Sequence, residues 1–372
     1  MHLYIHIPFC KQACHYCDFH FSVNMAKRME MVKAISKEIG LQNAYLKSNE
    51  LSTVYFGGGT PSLLSNLEFQ LIFNAISKNF TFHKEVEITL ECNPDDITIP
   101  RLKDWKGMGV NRLSIGVQSF NDKHLKFLNR AHNCEHSIQC IRQAKQVGFE
   151  NLTIDLIYAI PSKSNEIWKE DLGKAINFNI PHLSSYALTI EEKTVFGKKV
   201  KQKAMMPIDD DFAAEQFNIL LEITLKNGYE QYEISNFAKK SQYAKHNTSY
   251  WQGDEYLGVG PSAHSFNIMS RQWNISNNAK YIKSISEEIV PSEVEYLTSI
   301  NRANEYIMTG LRTKWGVNLN KLNEIWSLNK TPFSAQIEKF ENIGLLKSLN
   351  NQIYLTNDGK LKADFIASEL FF

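Results

Sequence analysis

The sequence lacks an excess of charge of either sign. Its 372 residues include 41 lysines and arginines against 40 aspartates and glutamates, which leaves a formal net charge of +1. Proteins that bind nucleic acids through the phosphate backbone usually carry a clear basic surplus. The balance therefore gives no support to a polyanionic partner, and we predict that the chain binds no nucleic acid.

Long hydrophobic runs are also missing. No segment approaches the roughly 18 consecutive apolar residues that a transmembrane helix needs. The first residues, MHLYIHIPF, have neither the basic start nor the apolar stretch of a secretory signal peptide. We therefore expect a cytoplasmic protein with at most peripheral membrane contact.

Cysteine is scarce, with six in the whole chain, yet Cys10, Cys14 and Cys17 lie close together. In a reducing compartment such a group is more typical of a metal site than of disulfides. Three thiolates could bind zinc with His15 or His20 as the fourth ligand. They could also hold three irons of a [4Fe–4S] cluster and leave the fourth iron open. The spacing alone does not choose between these alternatives.

The N-terminal half alternates short apolar segments with helical patterns. Six segments rich in β-branched and aromatic residues are typical of parallel strands buried on both faces: 3–7, 53–56, 86–90, 112–116, 152–158 and 182–189. Successive βα units with right-handed crossovers predict an α/β fold, an open (β/α)6 partial TIM-type barrel.

The rest of the chain is predicted to add two parts to this barrel. We assign residues 1–237 to the barrel and residues 238–289 to a connecting segment. Residues 290–372 have a helical pattern that includes two short strands around a pair of asparagines, which predicts a smaller winged-helix-like domain. Basic and acidic residues interleave there, so we expect this domain to pack against the barrel rather than to bind nucleic acid.

Polar or glycine-rich motifs follow the predicted strands, where ligands bind in βα barrels. Gly57, Gly58, Gly59 and Thr60 follow the second strand. Three glycines would let the backbone approach a ligand, although a tight turn would explain one of them. Glu91 follows the third strand, where a carboxylate could accept hydrogen bonds from a ribose diol.

Three further polar residues belong to the following strands or the segments after them. Gln118 follows the fourth strand, Arg130 lies further along, and Asp155 lies within the fifth strand. A buried ion pair between Arg130 and a carboxylate is a purely structural explanation that the sequence leaves open.

Several segments together resemble the radical S-adenosylmethionine (SAM) proteins of the oxygen-independent coproporphyrinogen III oxidase group: YIHIPFCKQACHYCDF, FGGGTPS, ECNPDD, GVQSF, DLIY and YEISNFAK. The resemblance covers most of the chain. It implies a [4Fe–4S] cluster bound by Cys10, Cys14 and Cys17, with SAM chelating the open iron. It also implies that SAM is contacted at the matching positions: Tyr4, Gly58, Gly59, Thr60, Glu91, Gln118, Arg130 and Asp155.

The chain departs from the oxidases of this group at several points. They have a fourth cysteine where this chain has Phe19, and an N-terminal extension over the substrate, whereas nine residues precede Cys10 here. Residues 246–251, HNTSYW, follow a pattern that is similar to the heme chaperones (HemW) related to the oxidases. Ala159 and Ile160 stand where the group has Gly and Leu, and we expect little effect from either.

The resemblance to the heme chaperones implies a protein that binds heme and passes it to heme-requiring proteins. Imidazole is a common axial ligand of heme iron, and neighbouring aromatic rings can pack on a porphyrin. We therefore predict His246 as the heme ligand, with His264 as a competing candidate. A histidine beside two aromatic residues is also typical of a satisfied structural histidine.

The sequence thus predicts a heme chaperone that carries a [4Fe–4S] cluster, SAM and heme, and no residue is assigned a catalytic role. The alternative is a coproporphyrinogen III oxidase, in which a SAM-derived radical would drive oxidative decarboxylation of porphyrinogen propionates. Whether SAM is cleaved is left open. Expected partners are heme-accepting proteins (respiratory or heme-storage proteins), a flavodoxin- or ferredoxin-type reductant, and a second copy in a homodimer.

Overall fold

The computed structural model describes residues 1–326 and 330–372. The strands are β1 (His2–Ile7), β2 (Glu50–Gly58), β3 (Thr81–Cys92), β4 (Arg112–Gln118), β5 (Asn151–Tyr158), β6 (His182–Ala187), β7 (Tyr229–Glu233), β8 (Asn236–Lys239), β9 (Tyr256–Val259), β10 (His264–Phe266), β11 (Ser270–Asn274), β12 (Ser292–Tyr296), β13 (Val317–Asn318), β14 (Leu346–Leu349) and β15 (Gln352–Leu355).

Helices connect most of these strands. The α-helices are α1 (Arg28–Leu41), α2 (Asn66–Asn79), α3 (Ile99–Gly107), α4 (Asp122–Phe127), α5 (Cys134–Gln146), α6 (Glu166–Asn177), α7 (Val195–Lys201), α8 (Asp210–Lys226), α9 (Lys245–Gln252), α10 (Asn278–Ser286), α11 (Ser299–Leu311), α12 (Leu319–Ile325), α13 (Lys330–Asn342), α14 (Asn357–Lys360) and α15 (Ala363–Glu369). Within the described ranges, none of them is long and apolar enough to cross a bilayer.

A 12-stranded sheet forms the larger part of the molecule, in the order β12-β11-β10-β9-β1-β2-β3-β4-β5-β6-β8-β7. Its centre, from β9 through β1 to β6, is parallel. Each of the strands β1 to β6 is followed by a helix before the next strand begins. All six predicted strands and the α/β fold are therefore confirmed, and the sheet stays open at both ends.

The parallel strands bury large apolar residues at their centres because both of their faces are covered. Leu3, Leu113 and Ile154, at the centres of β1, β4 and β5, are all fully buried. Helices pack on one face, and the other face forms the barrel interior, which also carries polar residues such as Ser114 and Asp155 where it lines a cavity. The carboxyl ends of these strands meet at one edge of the sheet, and the loops that follow them come together there.

Residues 238–289, which we expected as a connecting segment, contribute β9, β10 and β11 to the large sheet, and β12 follows just beyond them, within residues 290–372. β9 pairs in parallel with β1, and β10, β11 and β12 continue from it in antiparallel order. β9 and β10 have only four and three residues, and β11 buries polar side chains such as Gln272 and Asn274. Short strands with buried polar residues carry little of the apolar signal by which strands are recognised.

The C-terminal part has a small sheet in the order β13-β15-β14 and an apolar core of its own, built from residues such as Ile307, Phe340 and Ile353. β14 and β15 form a hairpin whose two loop residues, Asn350 and Asn351, have φ of 50° and 62°. Asparagine tolerates positive φ better than other residues with a side chain, which suits the tight turn. The predicted pair of strands around these asparagines is confirmed.

Candidate functional site

Two neighbouring cavities contain the candidate site residues. One, of about 420 Å³, is lined by the three clustered cysteines, and we call it the cysteine cavity. The other, of about 860 Å³, is lined by Tyr250, Trp251, Tyr256, Phe266 and Tyr306 among others, and we call it the aromatic cavity. Both volumes lie within the range of about 300–1,000 Å³ that is typical of small-molecule and cofactor sites.

The cysteine cavity gathers nearly all of the residues that were predicted to bind the cluster and SAM. The loop after β1 contributes its cysteines, and the ends of β2 to β5 with the segment after β4 contribute the rest. The lining includes Cys10, Cys14, Cys17, Gly58, Gly59, Thr60, Glu91, Gln118, Arg130 and Asp155. Residues far apart in the chain meet here because the carboxyl ends of parallel strands share one edge of the sheet.

The loop that carries the cysteines is held at both ends. The backbone N–H of Cys10 donates to Ser22 O at 3.1 Å. Asn129 Nδ2 donates to Ala13 O at 2.7 Å, and Gln12 Nε2 donates to Asn129 O at 2.9 Å. These bonds fasten the loop to the segment after α4 and fix where its three thiols point.

The sulfur atoms in this cavity have hydrogen-bond donors beside them. The Thr60 hydroxyl donates to Cys10 Sγ, and Arg130 Nη1 donates to Cys14 Sγ, both at 3.4 Å. Burial raises the pKa of Cys10, and it raises the pKa of Cys17 to about 12. Deprotonation of these thiols therefore needs a compensating positive charge, which bound iron would supply.

The histidines that were considered as zinc ligands lie outside the cysteine cavity. His15 Nδ1 is hydrogen-bonded to Phe127 O at 3.1 Å, and His20 Nε2 is hydrogen-bonded to Asn278 Oδ1 at 2.7 Å. Across residues 1–326 and 330–372, no three His, Cys, Asp or Glu side chains are close enough to share one metal ion.

Arg130 lines the cavity without a carboxylate partner in the described part of the chain. Its Nη2 donates to Asn93 Oδ1 at 2.6 Å and to Gly116 O at 2.9 Å, and its buried Nε has no partner there. The ion pair that the sequence left open is therefore not formed. A guanidinium that contacts a thiol and lacks a carboxylate fits a site for a negatively charged group, such as a thiolate-bound cluster or a ligand carboxylate.

Two half-buried carboxyl groups, Glu91 and Asp155, also line this cavity. The Tyr55 hydroxyl donates to Glu91 Oε1 at 2.7 Å, and the Ser114 hydroxyl lies 3.3 Å from both oxygens of Asp155. Burial raises the pKa of Glu91 to about 7 and the pKa of Asp155 to about 6. Both groups would ionise more readily beside a bound cation or hydroxyl donors, which a ligand with an ammonium group and a ribose provides.

The glycines after β2 are required by packing against β1 and the cysteine loop. A Cβ on Gly58, whose φ is +102°, would lie 2.6 Å from the His6 ring. A Cβ on Gly59 would lie 2.6 Å from Phe9 O and 2.8 Å from Ile7 O. Packing within the protein therefore requires glycine at both positions, and the approach of a ligand to this backbone stays a prediction.

Gln118 reaches the cavity through a local distortion of β4. Its φ is 66°, and the register between β4 and β5 shifts between Ile115 and Gln118. A side-chain-bearing residue in this left-handed conformation costs about 1 kcal/mol or more, and such positions cluster at functional sites.

Tyr4 is the one predicted SAM contact outside the lining of the cysteine cavity. It lines the aromatic cavity, and its hydroxyl is hydrogen-bonded to His6 Nδ1 at 3.1 Å. Its ring stacks on Tyr55, which lines the cysteine cavity, with 6.1 Å between ring centroids. Tyr4 and Tyr55 thus form part of the wall between the two cavities.

His246 lies in the protein core and lines neither cavity. Only 1% of its surface is exposed, Nδ1 lies 2.6 Å from the Thr53 hydroxyl, and Nε2 lies 2.8 Å from the Tyr250 hydroxyl. Its ring also stacks on Tyr55 at 4.9 Å. Both ring nitrogens are hydrogen-bonded, as is typical of a structural histidine, and His246 as the heme ligand stays a prediction.

The rest of the HNTSYW segment is divided between the two cavities. Asn247, on α9, lines the cysteine cavity, whereas Tyr250 and Trp251 line the aromatic cavity. Asn247 and Tyr250 are three positions apart and lie on the same side of α9, so this side of the helix borders both cavities. The segment therefore joins the cavities rather than forming one ligand set.

The aromatic cavity was only partly foreseen from the sequence. Its lining includes His264, Phe266 and Arg271 from β10 and β11, and Arg302 and Tyr306 from α11. Only His264 was a candidate beforehand, because it lies in a short polar segment among glycines. The other residues belong to no local motif and are brought together by the pairing of β9 to β11 and the packing of α11.

Comparison with known proteins agrees with this architecture. Residues 4–175 match the radical SAM superfamily, and residues 297–361 match the HemN C-terminal domain. The chain superposes on the coproporphyrinogen III oxidase HemN of Escherichia coli, a radical SAM enzyme, with a TM-score of 0.85 over 99% of this chain and 89% of that one. The sequence identity is 22%, so this likeness shows the fold alone.

Curated relatives named heme chaperone HemW are more similar in sequence. That of Lactococcus lactis is 32% identical over 96% of this chain and 93% of its own length. That of Bacillus subtilis is 32% identical over 96% of both chains, and that of Escherichia coli is 38% identical over 70% of this chain and 69% of its own.

The parallel sheet, the cysteine loop after its first strand and the family match together define a member of the radical SAM superfamily. Proteins of this superfamily are characterised by a [4Fe–4S] cluster and SAM. Within the superfamily, the near full-length similarity shows that the chain belongs to the HemW family.

Proposed function

We propose that the chain binds heme in the aromatic cavity and transfers it to heme-requiring acceptor proteins. The observation that carries the proposal is a cavity of about 860 Å³ with an aromatic lining and basic side chains, which shares Asp18 and Phe19 with the cysteine cavity. The names of the relatives support heme as its occupant. Respiratory or heme-storage proteins as acceptors, and the homodimer, remain predictions.

The aromatic cavity has the chemical character that heme requires. Tyr250, Trp251 and Tyr256 offer apolar ring surface to a planar macrocycle. Arg302 offers a guanidinium group to a carboxylate, whereas Arg271 is already paired with Glu305. An apolar wall with a few convergent charged groups is the usual composition of a site for an amphipathic ligand.

We also propose that Cys10, Cys14 and Cys17 bind a [4Fe–4S] cluster, and that Gly58, Gly59, Thr60, Glu91, Gln118, Arg130 and Asp155 surround a SAM molecule. When bound, the cluster supplies an iron with an open position and one-electron chemistry. Arg130 would balance negative charge beside Cys14, and Glu91 would accept hydrogen bonds from the ligand. Tyr4 would act indirectly, by supporting Tyr55 in the cavity wall.

Heme titration of a cavity-filling variant tests the heme proposal. Thr309 lines the aromatic cavity on α11, and its hydroxyl donates to Glu305 O. Thr309→Trp should weaken heme binding at least about tenfold, because the indole occupies the space that heme needs. The matched control is Ser77→Trp on the exposed face of α2, where Ser77 Oγ likewise donates to a carbonyl four residues earlier.

The expected result is saturable heme binding by the wild type and Ser77→Trp and its loss in Thr309→Trp, measured from the Soret band of the anaerobically reconstituted chain. No saturable binding by the wild type, or equal affinity in all three, would overturn the proposal.

A porphyrinogen oxidase is the second candidate, because a cavity of this size beside the cysteine cavity would also bring a porphyrinogen close to SAM. Phe19, which lines both cavities and is 69% exposed, lies at their junction. Incubation of the reduced, cluster-loaded chain with SAM and coproporphyrinogen III should give no decarboxylated product. Accumulation of protoporphyrinogen with matching amounts of 5′-deoxyadenosine would replace the chaperone proposal with the oxidase.

A further inference from the structure

His264 is the histidine that the fold presents to the aromatic cavity with a free imidazole. It is exposed and lines the cavity, and no hydrogen bond joins its ring to any other residue in the described ranges. Its one ring contact is with Trp273, at 6.2 Å between centroids in a stacked arrangement. A stacked ring keeps its orientation while both of its nitrogens stay available.

Strand pairing explains why His264 faces the cavity. In β10, Ser265 is fully buried while His264 and Phe266 line the cavity, as the alternation of a strand requires. In the antiparallel register, Trp273 lies opposite His264 and Arg271 lies opposite Phe266. Opposite residues of an antiparallel pair share a face, so these four side chains form one patch.

The other histidines near this cavity are already engaged. His6 Nδ1 is hydrogen-bonded to the Tyr4 hydroxyl at 3.1 Å, and His6 Nε2 to His20 O at 2.9 Å. His20 Nε2 is hydrogen-bonded to Asn278 Oδ1, and His246 is closed into the core. Ligation through any of these nitrogens would first break a hydrogen bond.

Arg302 also lines the aromatic cavity, from helix α11, and like His264 it has side-chain atoms without a partner among the described residues. α11 turns Arg302, Glu305, Tyr306 and Thr309 toward the cavity, the spacing of one helix face. Glu305 forms an ion pair with Arg271, whereas Arg302 has no ion pair in the part of the chain that the structure describes, and its buried Nε has no partner there. Arg302 is thus the guanidinium available to an anionic group in the cavity.

We propose that His264 provides the axial imidazole ligand to the heme iron and that Arg302 binds a heme propionate. This inference rests on the proposed heme-binding function and assigns residues to it.

The ligand assignment is tested on the full anaerobically reconstituted chain by resonance Raman and electron paramagnetic resonance spectra of its heme complex. The wild type, His20→Ala and the surface control His83→Ala should show the same histidine-ligated iron. His264→Ala should lose that signature while heme still binds in the cavity, and added imidazole should restore it. Rescue by imidazole distinguishes a ligand from a residue that merely supports the fold.

Each outcome of this experiment has a separate meaning. Loss of the signature in His264→Ala with rescue by imidazole supports the assignment. Wild-type spectra in His264→Ala overturn it and leave the heme-binding proposal intact. No saturable heme binding by the wild type overturns the proposed function itself. His246→Ala belongs in the same series, and loss of histidine ligation in that variant alone, with its far-ultraviolet circular dichroism unchanged, would restore the original assignment to His246.

Arg302 is tested with two forms of the ligand. Arg302→Gln should bind heme about tenfold more weakly than the wild type, because it loses a charge-assisted hydrogen bond to a carboxylate. The two proteins should bind heme dimethyl ester, whose propionates are uncharged, equally well. Arg142→Gln, on the exposed face of α5, is the matched control. Equal weakening of heme and its diester by Arg302→Gln would rule out the propionate contact.

Discussion

Two residues of the cysteine cavity, Glu91 and Asp155, are carboxyl groups whose ionisation is disfavoured by the fold. Burial raises the pKa of both, to about 7 and about 6. A carboxyl group whose pKa is higher in the folded than in the unfolded chain stabilises the fold at low pH. That contribution is lost as the pH rises through the folded-state value.

The pH dependence of stability should therefore change when Glu91 is made permanently neutral. In the cofactor-free chain, the Glu91 contribution is complete below about pH 4.5 and lost as the pH rises to about 7. Relative to the wild type, Glu91→Gln should gain on the order of 2 kcal/mol in free energy of unfolding between pH 5 and pH 8. Urea unfolding at both pH values measures this. The exposed Glu85→Gln is the control, and parallel pH profiles for Glu91→Gln and the wild type would contradict the prediction.

Ala159, like Gln118, has a backbone conformation that is unfavourable for a residue with a side chain. Its φ is 60°, its side chain is buried, and its N–H donates to Gln216 Oε1 at 2.7 Å. Alanine in this left-handed conformation costs about 1–2 kcal/mol, whereas glycine adopts it freely. We expected little effect from this position, and the structure gives a reason for the glycine of the oxidase group.

Ala159→Gly should raise the free energy of unfolding by about 0.5–1 kcal/mol. The relief of strain in the folded chain should exceed the cost of the greater conformational freedom that glycine gives the unfolded chain. The comparison is Ala175→Gly in the buried face of α6, which should lower stability by about 1 kcal/mol or more. Chemical denaturation measures both. Destabilisation of similar size by the two glycines would show that strain at Ala159 is not relieved.

Among the secondary-structure elements, β9 and β10 determine the position of His264. A Cβ on Gly258 in β9 would lie 2.0 Å from His264 O, so the two strands approach as closely as they do only because Gly258 has no side chain. The Gly258 N–H donates to the Ser265 hydroxyl oxygen at 2.9 Å. The position of the candidate ligand thus depends on a glycine that does not itself line the aromatic cavity.

Gly258→Ala should displace β10 and weaken heme binding by about tenfold or more, because the added methyl group meets backbone rather than a flexible side chain. Gly173→Ala in α6, where a Cβ would meet nothing within 4 Å, should leave heme affinity unchanged and is the control. Heme titration and circular dichroism of both variants measure the effect. If folded Gly258→Ala kept the heme ligation of the wild type, β10 would not be part of the heme site.

At the level of the whole molecule, the two cavities share a wall but differ in their chemistry. Asp18 and Phe19 line both, while the cysteines line only one and His264 only the other. A cluster and a heme would therefore occupy neighbouring sites that can be loaded separately.

Replacement of the cluster ligands should leave heme binding largely intact. Cys10→Ser, Cys14→Ser and Cys17→Ser should each lose the broad iron–sulfur absorbance after anaerobic reconstitution. Their heme affinity should stay within about threefold of the wild type, since no cysteine lines the aromatic cavity. Cys140→Ser, buried on α5, is the control that should keep the cluster. Loss of heme binding in all three ligand variants would show that the two sites are coupled.

Much of the molecule could be predicted from the sequence because its signals are local. β1 to β6 are rich in apolar and β-branched residues, since both faces of a parallel sheet are covered, and three cysteines on one loop are visible without any fold. β9 to β12 could not be predicted: β9 and β10 are very short, β11 buries polar side chains and β12 is mostly exposed, so none has the apolar pattern of a buried strand. The division of the chain into three parts remains a prediction.

The sequence by itself determined the α/β core, the cysteine loop and the polar residues after each strand, because contacts within one strand and its following loop leave a periodic pattern. Only the tertiary structure decided which histidine faces a cavity. His246 and His264 both lie among aromatic residues in the sequence, yet the packing of α9 on β2 closes one into the core, while the pairing of β10 with β11 opens the other to the aromatic cavity. That difference depends on residues distant in the chain, and no local pattern encodes it.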